Sequence, residues 1–437
     1  MKKYFISGAM LAGLMSLAAC SNDEGVVADN NGAEQQFTIT LASSGDRATR
    51  AAADRTLESE AADQSIEKVT LVVRSQDDGE DKNKVVYIHT LDNWNGTATD
   101  DTNGHGKKLT FTIPKADKLG AGSYVVTAVG YNEGNYNLKW PAKGDVLDKN
   151  ITATTQADAE AKEVFAGEQQ FSVKDGKIKG TDASVDVTLH RQVAGAYGYF
   201  TSIPAKIGNT DVASIRMVSR SKNTVLTFGS FNSSFTTTDA NNVMYMVNGS
   251  VPATKTAKFL NGDEANVLFS AKITDWFPGG DENKDGVYDK KDTNWTKHYS
   301  GSYLKGSVFA SNFIVPFSAT QGKSTLELQL LDATGNVLYA WPVKLDASNA
   351  QVGKKGETAS ADLFGTGTAM GFAETADVFS LFRNHIYSIG IHKQDTTNPD
   401  PETPVPGDQP TDLSKIQNVV IRVNDNWEAM HHMSIDE

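Results

Sequence analysis

The sequence predicts an all-β chain built as two β-sandwich domains in tandem, of Greek-key or transthyretin-like topology. Three observations carry that reading. Short apolar runs of period two recur along most of the 437 residues. Gly, Asn and Asp clusters punctuate them. Helical periodicity is scarce, with Ala373–Phe382 its best stretch. The length is enough for two cores. The net charge of −13 comes with no basic stripe, which excludes a nucleic-acid partner. One cysteine excludes an intrachain disulfide and a Cys-based zinc site.

In chain order, Lys2 and Lys3 precede an apolar stretch at Tyr4–Met15, too short to span a membrane. Leu17-Ala18-Ala19-Cys20 follows and looks like a bacterial lipobox, with Cys20 as the lipidated residue. Residues 1–20 are therefore read as a lipoprotein signal peptide and 21–50 as a propeptide. Residues 21–34 are a polar tether. In residues 35–42, Phe37, Ile39 and Leu41 alternate with Thr38 and Thr40, a strand buried on one face. Ser43 to Asp46 form a loop signal. Arg47 and Arg50 follow among small residues, where a trypsin-like protease could reach the backbone.

A first domain is expected over 51–205. Its strands are read at Val69/Leu71/Val73, 85–91, 109–113, 124–131, 169–173 and 183–189, the last leading into 190–200. A second domain is expected over 206–395. Its strands are read at 214–218, 224–228, 243–247, 266–274, 307–317 and 325–331, then 337–345 across Gly335-Asn336, and 385–392. Residues 396–411 hold prolines at 399, 401, 404, 406 and 410, a stiff extended linker. It projects 412–437, where Val419, Ile421 and Val423 repeat the one-face pattern ahead of Trp427.

The acidic stretch 281–292 has calcium-loop spacing. Oxygen ligands fall at Asp281, Asn283, Asp285, Asp289 and Asp292, with the Val287 carbonyl at the seventh place and Gly286 at the turn. Position twelve is Asp rather than Glu, and Pro and Gly flank the loop in place of helices. A structural Ca²⁺ clamp is expected, against a solvated acidic loop. Catalysis finds no support: Gly-x-Ser-x-Gly and His-Glu-x-x-His are both absent. His190-Arg191 reads as packing or turn chemistry at a strand end, and His431-His432 as an exposed pair. The chain is read as no enzyme.

The first and last strands belong together. If 35–42 were removed, the first sheet would keep an open groove that recruits a strand. Val419/Ile421/Val423 matches Phe37/Ile39/Leu41 in spacing, and the linker projects it towards another copy. Burying three such side chains is worth roughly 5–9 kcal/mol. Head-to-tail joining does not close, so it yields a fibre.

The lipobox, the first strand, the arginine linker, two β-rich halves and the C-terminal strand before a Trp together resemble the fimbrillins, subunits of Bacteroidetes type V pili. Further support comes from 124–131, 189–193, 326–345 and Arg383-Asn384-His385-Ile386-Tyr387. The resemblance spans nearly the whole chain through individually loose motifs. It implies an outer-membrane lipoprotein precursor lipidated on Cys20, cut by an Arg-specific protease at Arg50–Ala51 (Arg47 as runner-up), and polymerised by strand exchange. Its partners would be copies of itself and other fimbrial subunits, in an adhesive cell-surface fimbrium. The alternatives are an anchor or tip subunit, or a surface glycan-binding lipoprotein using Trp94, Trp140, Trp276 and Trp295 as exposed platforms.

Overall fold

The computed structural model describes residues 34–41, 66–100, 107–147, 151–155, 161–178, 184–220, 222–228, 259–262, 265–299, 301–317, 326–345, 381, 386–392, 407–414 and 419–424. These described residues belong to one compact unit. The described residues are almost entirely strand and connecting turn.

The first half builds two facing sheets. One contains β1 (Gln36–Leu41), which pairs in parallel with β9 (Ser184–Arg191) and antiparallel with β4 (Lys107–Thr112). The other runs β3 (Val85–Leu91), β2 (Lys68–Ser75), β5 (Gly122–Tyr131) and β8 (Phe165–Lys174). Phe37 and Ile39 of the first sheet meet Leu71, Val73, Val126 and Phe165 of the second in one core. The alternation read at Val69/Leu71/Val73 is this inward face.

The two sheets join at a corner. Strands β8 and β9 pair only at Ala166–His190 and Phe165–Arg191. Beyond that they cross at Gly167, where a Cβ would lie 2.0 Å from the Thr188 carbonyl oxygen, so only glycine fits. At its far end β8 turns back through Asp175 (φ 55°) and Gly176 (φ 72°), a left-handed pair suited to a two-residue hairpin.

The second half repeats this wiring. Strand β10 (Ala194–Thr201) pairs antiparallel with β14 (Ser307–Ile314) and in parallel with β17 (Ile386–Ile389). The facing sheet runs β13 (Asn266–Lys272), β11 (Ser214–Ser219), β15 (Leu326–Leu331) and β16 (Val337–Leu345). The topological counterpart of β1 is therefore β10. Among the described residues, strand β18 (Val419–Asn424) has no counterpart in the first half. It sits where β16 and β17 would meet, parallel to β16 over 419–421 and antiparallel to β17 over 422–424.

A three-stranded sheet ties the halves. In it β7 (Ile151–Thr155) lies between β6 (Tyr136–Lys139) and β12 (Val225–Phe228). A second core runs from Val72, Val129 and Ile151 of the first half through Phe228, Trp276 and Phe309 of the second. The ladder changes from one sandwich to the other between Arg191 and Ala194.

Candidate functional site

The site is the seat of β1. Its inward face carries Gln35, Phe37 and Ile39, all fully buried. Phe37 lies opposite Val185 and Phe111, and Ile39 opposite Val187 and Leu109. The Phe37 ring meets Phe171 edge-on at 5.4 Å. Thr38 is also buried, and its hydroxyl lies 3.2 Å from that of Thr110. The strand is thus interior, with a ladder on each edge, rather than an edge strand. Among the described residues, β4 pairs beyond β1 only with Thr99–Asp100. Withdrawing β1 would break both ladders and detach β4 from the rest of its sheet.

Gln35 was not singled out by the sequence. Its polar side chain points into the core end, which is costly unless every polar atom finds a partner. Its Nε2 donates to Leu119 O (2.9 Å) and Gly176 O (3.2 Å), and its Oε1 accepts from Leu119 N (2.8 Å). Its own carbonyl accepts from Ile113 N at 2.8 Å. The missed signal was its parity: Gln35, Phe37 and Ile39 share one face at spacing two.

Of the other residues singled out, Cys20, Arg47, Arg50, Ala51 and Trp427 lie outside the described residues, as does the Leu41 side chain. Val419, Ile421 and Val423 are placed by their backbone in the second sandwich.

The acidic loop closes on itself. Gly286 N donates to Asp281 Oδ2 (3.0 Å), Asp285 N to Asn283 Oδ1 (2.8 Å) and Val287 N to Asp285 Oδ1 (3.2 Å). Asp292 is buried and accepts from Glu282 N and Asp289 N. Val287 pairs with Pro204, pinning the loop to the chain after β10. Lys291 Nζ sits 2.5 Å from Asp285 Oδ2 and holds that carboxyl below its usual range. Glu282, overlooked in the sequence, clasps Thr293 N and Asn294 N. Asp281 Oδ1 is buried with no hydrogen-bond partner. Among the described residues, no three His, Cys, Asp or Glu side chains are gathered as a metal-holding group.

The tryptophans correct an expectation. Trp94 and Trp276 are among the largest fully buried side chains, and Trp140 and Trp295 are half-buried. Trp276 packs against Trp295, Tyr299 and Tyr303. Apolar rings go to the core when a sandwich this size has space for them, and composition alone does not tell platform from core.

Two buried polar groups brace the body. Arg191 donates through Nε (2.9 Å) and Nη2 (2.7 Å) to Glu163 Oε1, at the corner where β8 meets β9, and its guanidinium lies over the Phe165 ring. That agrees with packing at a strand end. His392 is enclosed by Tyr199, Tyr303 and Phe309. Its Nε2 donates to Ser302 O (3.0 Å), its Nδ1 is buried without a partner, and burial pushes its pKa down to about 4.

Fold and seat together define a class: a double β-sandwich whose first strand is an interior insert, buried on its inward face and joined to the body through residues 42–65. No family model and no curated protein matches the chain. Among solved structures it is similar to the fimbrial anchor protein Mfa2 from Porphyromonas gingivalis, at 11% identity and TM-score 0.35, covering 90% of this chain and 97% of that one. It is also similar to a fimbrial assembly protein from Parabacteroides distasonis, at 11% identity and TM-score 0.33, covering 82% and 90%. At these values the likeness assigns no function to this chain.

Proposed function

We propose that this chain is a structural subunit of a surface fimbria, exported as a lipoprotein on Cys20, cut after Arg50, and polymerised by strand exchange. The observation that carries the reading is the interior seat of β1. The strand has six ladder partners on β9 and five on β4, and Phe37 and Ile39 on its inward face are fully buried. It is joined to β2 through residues 42–65, which include Arg47 and Arg50. Cutting that connection turns a covalently tethered strand into a free peptide and removes its effective-concentration advantage. What remains is a slot lined by apolar side chains and unpaired backbone groups, which binds an extended strand.

The cut is needed for a second reason. Phe37, which is fully buried, is larger than Val419 at the matching position, so β1 buries more apolar surface there than the C-terminal strand would. An uncut copy therefore keeps its own strand. Surface adhesion is the role of the assembled fibre, with other copies and other fimbrial subunits as partners.

A terminal anchor or tip subunit is the second reading. It is favoured by one observation: β18 lies in its own second sandwich. One experiment separates the two. Residues 21–437 are treated with an Arg-specific protease and followed by size-exclusion chromatography and N-terminal sequencing. A new terminus at Ala51 with growing oligomers is the outcome expected of a shaft subunit. Clean cutting with a persistent monomer that still takes up a synthetic 415–426 peptide would indicate a terminal subunit. Persistent monomer without peptide uptake would overturn strand exchange.

A further inference from the structure

Only two of the chain's glutamines are followed by Phe, Ile, Leu or Val at each of positions +2, +4 and +6. They are Gln35, before Phe37, Ile39 and Leu41, and Gln417, before Val419, Ile421 and Val423. Gln35 is the residue whose amide closes the end of the β1 seat. Withdrawing it would leave Leu119 N–H, Leu119 C=O and Gly176 C=O without the amide that serves them. Buried backbone groups of this kind are rarely left unpaired, because each lost partner costs the full desolvation of the group.

We propose that Gln417 of a second copy takes the place of Gln35 and fixes the register of the incoming strand. This rests on the strand exchange proposed above. A strand slides in steps of two without turning its apolar face outward, so Val419, Ile421 and Val423 alone fit the slot in more than one register. A glutamine at one end removes that freedom. In the correct register its amide meets Leu119 and Gly176. In a register shifted by two, an amide is driven among apolar side chains or withdrawn from the cap, and Leu119 is left without a side-chain partner. In the correct register Val420 takes the place of the buried Thr38, a replacement of nearly the same shape, and Arg422 takes that of the half-buried Thr40. The strand then lies as β1 lies, parallel to β9 and antiparallel to β4, which sets Arg422 opposite Thr188 on one side and, less favourably, Lys108 on the other.

The test is disulfide trapping in the cut protein, which lacks Cys20 and so contains no other cysteine. Gln36 lies opposite Thr112, with their side chains 3.2 Å apart. Asn418 of the donor takes the Gln36 position in the proposed register. Thr112→Cys combined with Asn418→Cys should therefore give oxidised ladders between copies. Thr112→Cys with Ile416→Cys or Val420→Cys, which report shifts of two, should not. Fibres that crosslink through 416 or 420 as readily as through 418 would overturn the register while leaving strand exchange intact. Absence of fibres in every variant would overturn exchange and register together. The role of the amide itself is read from Gln417→Ala, which should dissociate about 10- to 100-fold faster and spread its crosslinks over the shifted registers. Unchanged dissociation with crosslinks still confined to 418 would overturn the latch.

Discussion

Phe37→Ala in the uncut chain should make a protein that polymerises without proteolysis. Arg47 and Arg50 are both replaced by Ala, so that no cut can occur. Phe37 is fully buried and its ring meets Phe171 at 5.4 Å. Truncating such a ring costs about 3–5 kcal/mol, from lost transfer energy and the cavity left behind. The whole of that loss falls on the seated state of β1, because the withdrawn strand is exposed in either variant. A loss of about 4 kcal/mol raises the population of the vacant seat roughly a thousandfold. Both ladders of β1 weaken together, and among the described residues β4 has no other long ladder.

Two assays report this. Light scattering after size exclusion should show oligomers growing with time and concentration in the Phe37→Ala chain. Amide hydrogen exchange should show early loss of protection in 107–112 and 184–189, ahead of 122–131. Phe228→Ala is the control: that ring is equally buried, but in the core shared between the halves. It should lower stability without selectively exposing the seat. If Phe37→Ala stays monomeric with 107–112 protected, or if Phe228→Ala forms the same oligomers, β1 is not the plug of the seat and the reasoning fails.

Two further outcomes follow from single groups. His392 folds as the neutral ring, with a pKa near 4 against about 6.5 unfolded, so stability is complete above about pH 6.5 and is lost as pH falls towards 4. The loss approaches about 3 kcal/mol. Urea titrations at pH 7 and pH 4 should show that excess in the natural chain over His392→Phe, and equal losses in both would contradict it. In the acidic loop, Ca²⁺ would have to displace Lys291 from Asp285. Calorimetric titration of chelator-treated protein should therefore give heat and a higher Tm, with tighter binding in Lys291→Ala; no heat in either protein would remove calcium from this loop.

The strands with one wet face were legible in the sequence because their side chains alternate. Val185, Val187 and Leu189 are buried while Asp186 and Thr188 are exposed. Strand β10 was harder, since seven of its eight residues are buried and its Gly, Ala and Tyr show no period. That hid the repeat between the halves. Spacing made β18 the twin of β1, while topology makes β10 its twin. Register and neighbours are tertiary facts, so a strand pattern at 35–42 could not say whether it lay at an edge or inside a sheet. The calcium spacing was legible at 281–292, but Lys291 on Asp285 and the backbone amides on Asp292 depend on how the loop folds back.

The two seams of the molecule would give the strand exchange proposed above a direction. In the first sandwich, β8 and β9 close the corner themselves at Ala166–His190 and Phe165–Arg191, braced by the buried Glu163–Arg191 pair. In the second, β18 closes it with three ladder partners on β16 and three on β17. The vacant seat of another copy offers that strand six partners on β9 and five on β4. While β1 is in place no such seat exists, and the home position of β18 is the better one. Once β1 is gone the comparison reverses. Each ladder bond is worth only about 1 kcal/mol net, but nearly twice as many would form. Proteolysis of the acceptor, rather than any change in the donor, would then set the direction of growth. An uncut copy could donate its strand and accept none, so mixing uncut with cut protein should cap fibres at one end and shorten them in proportion to the uncut fraction.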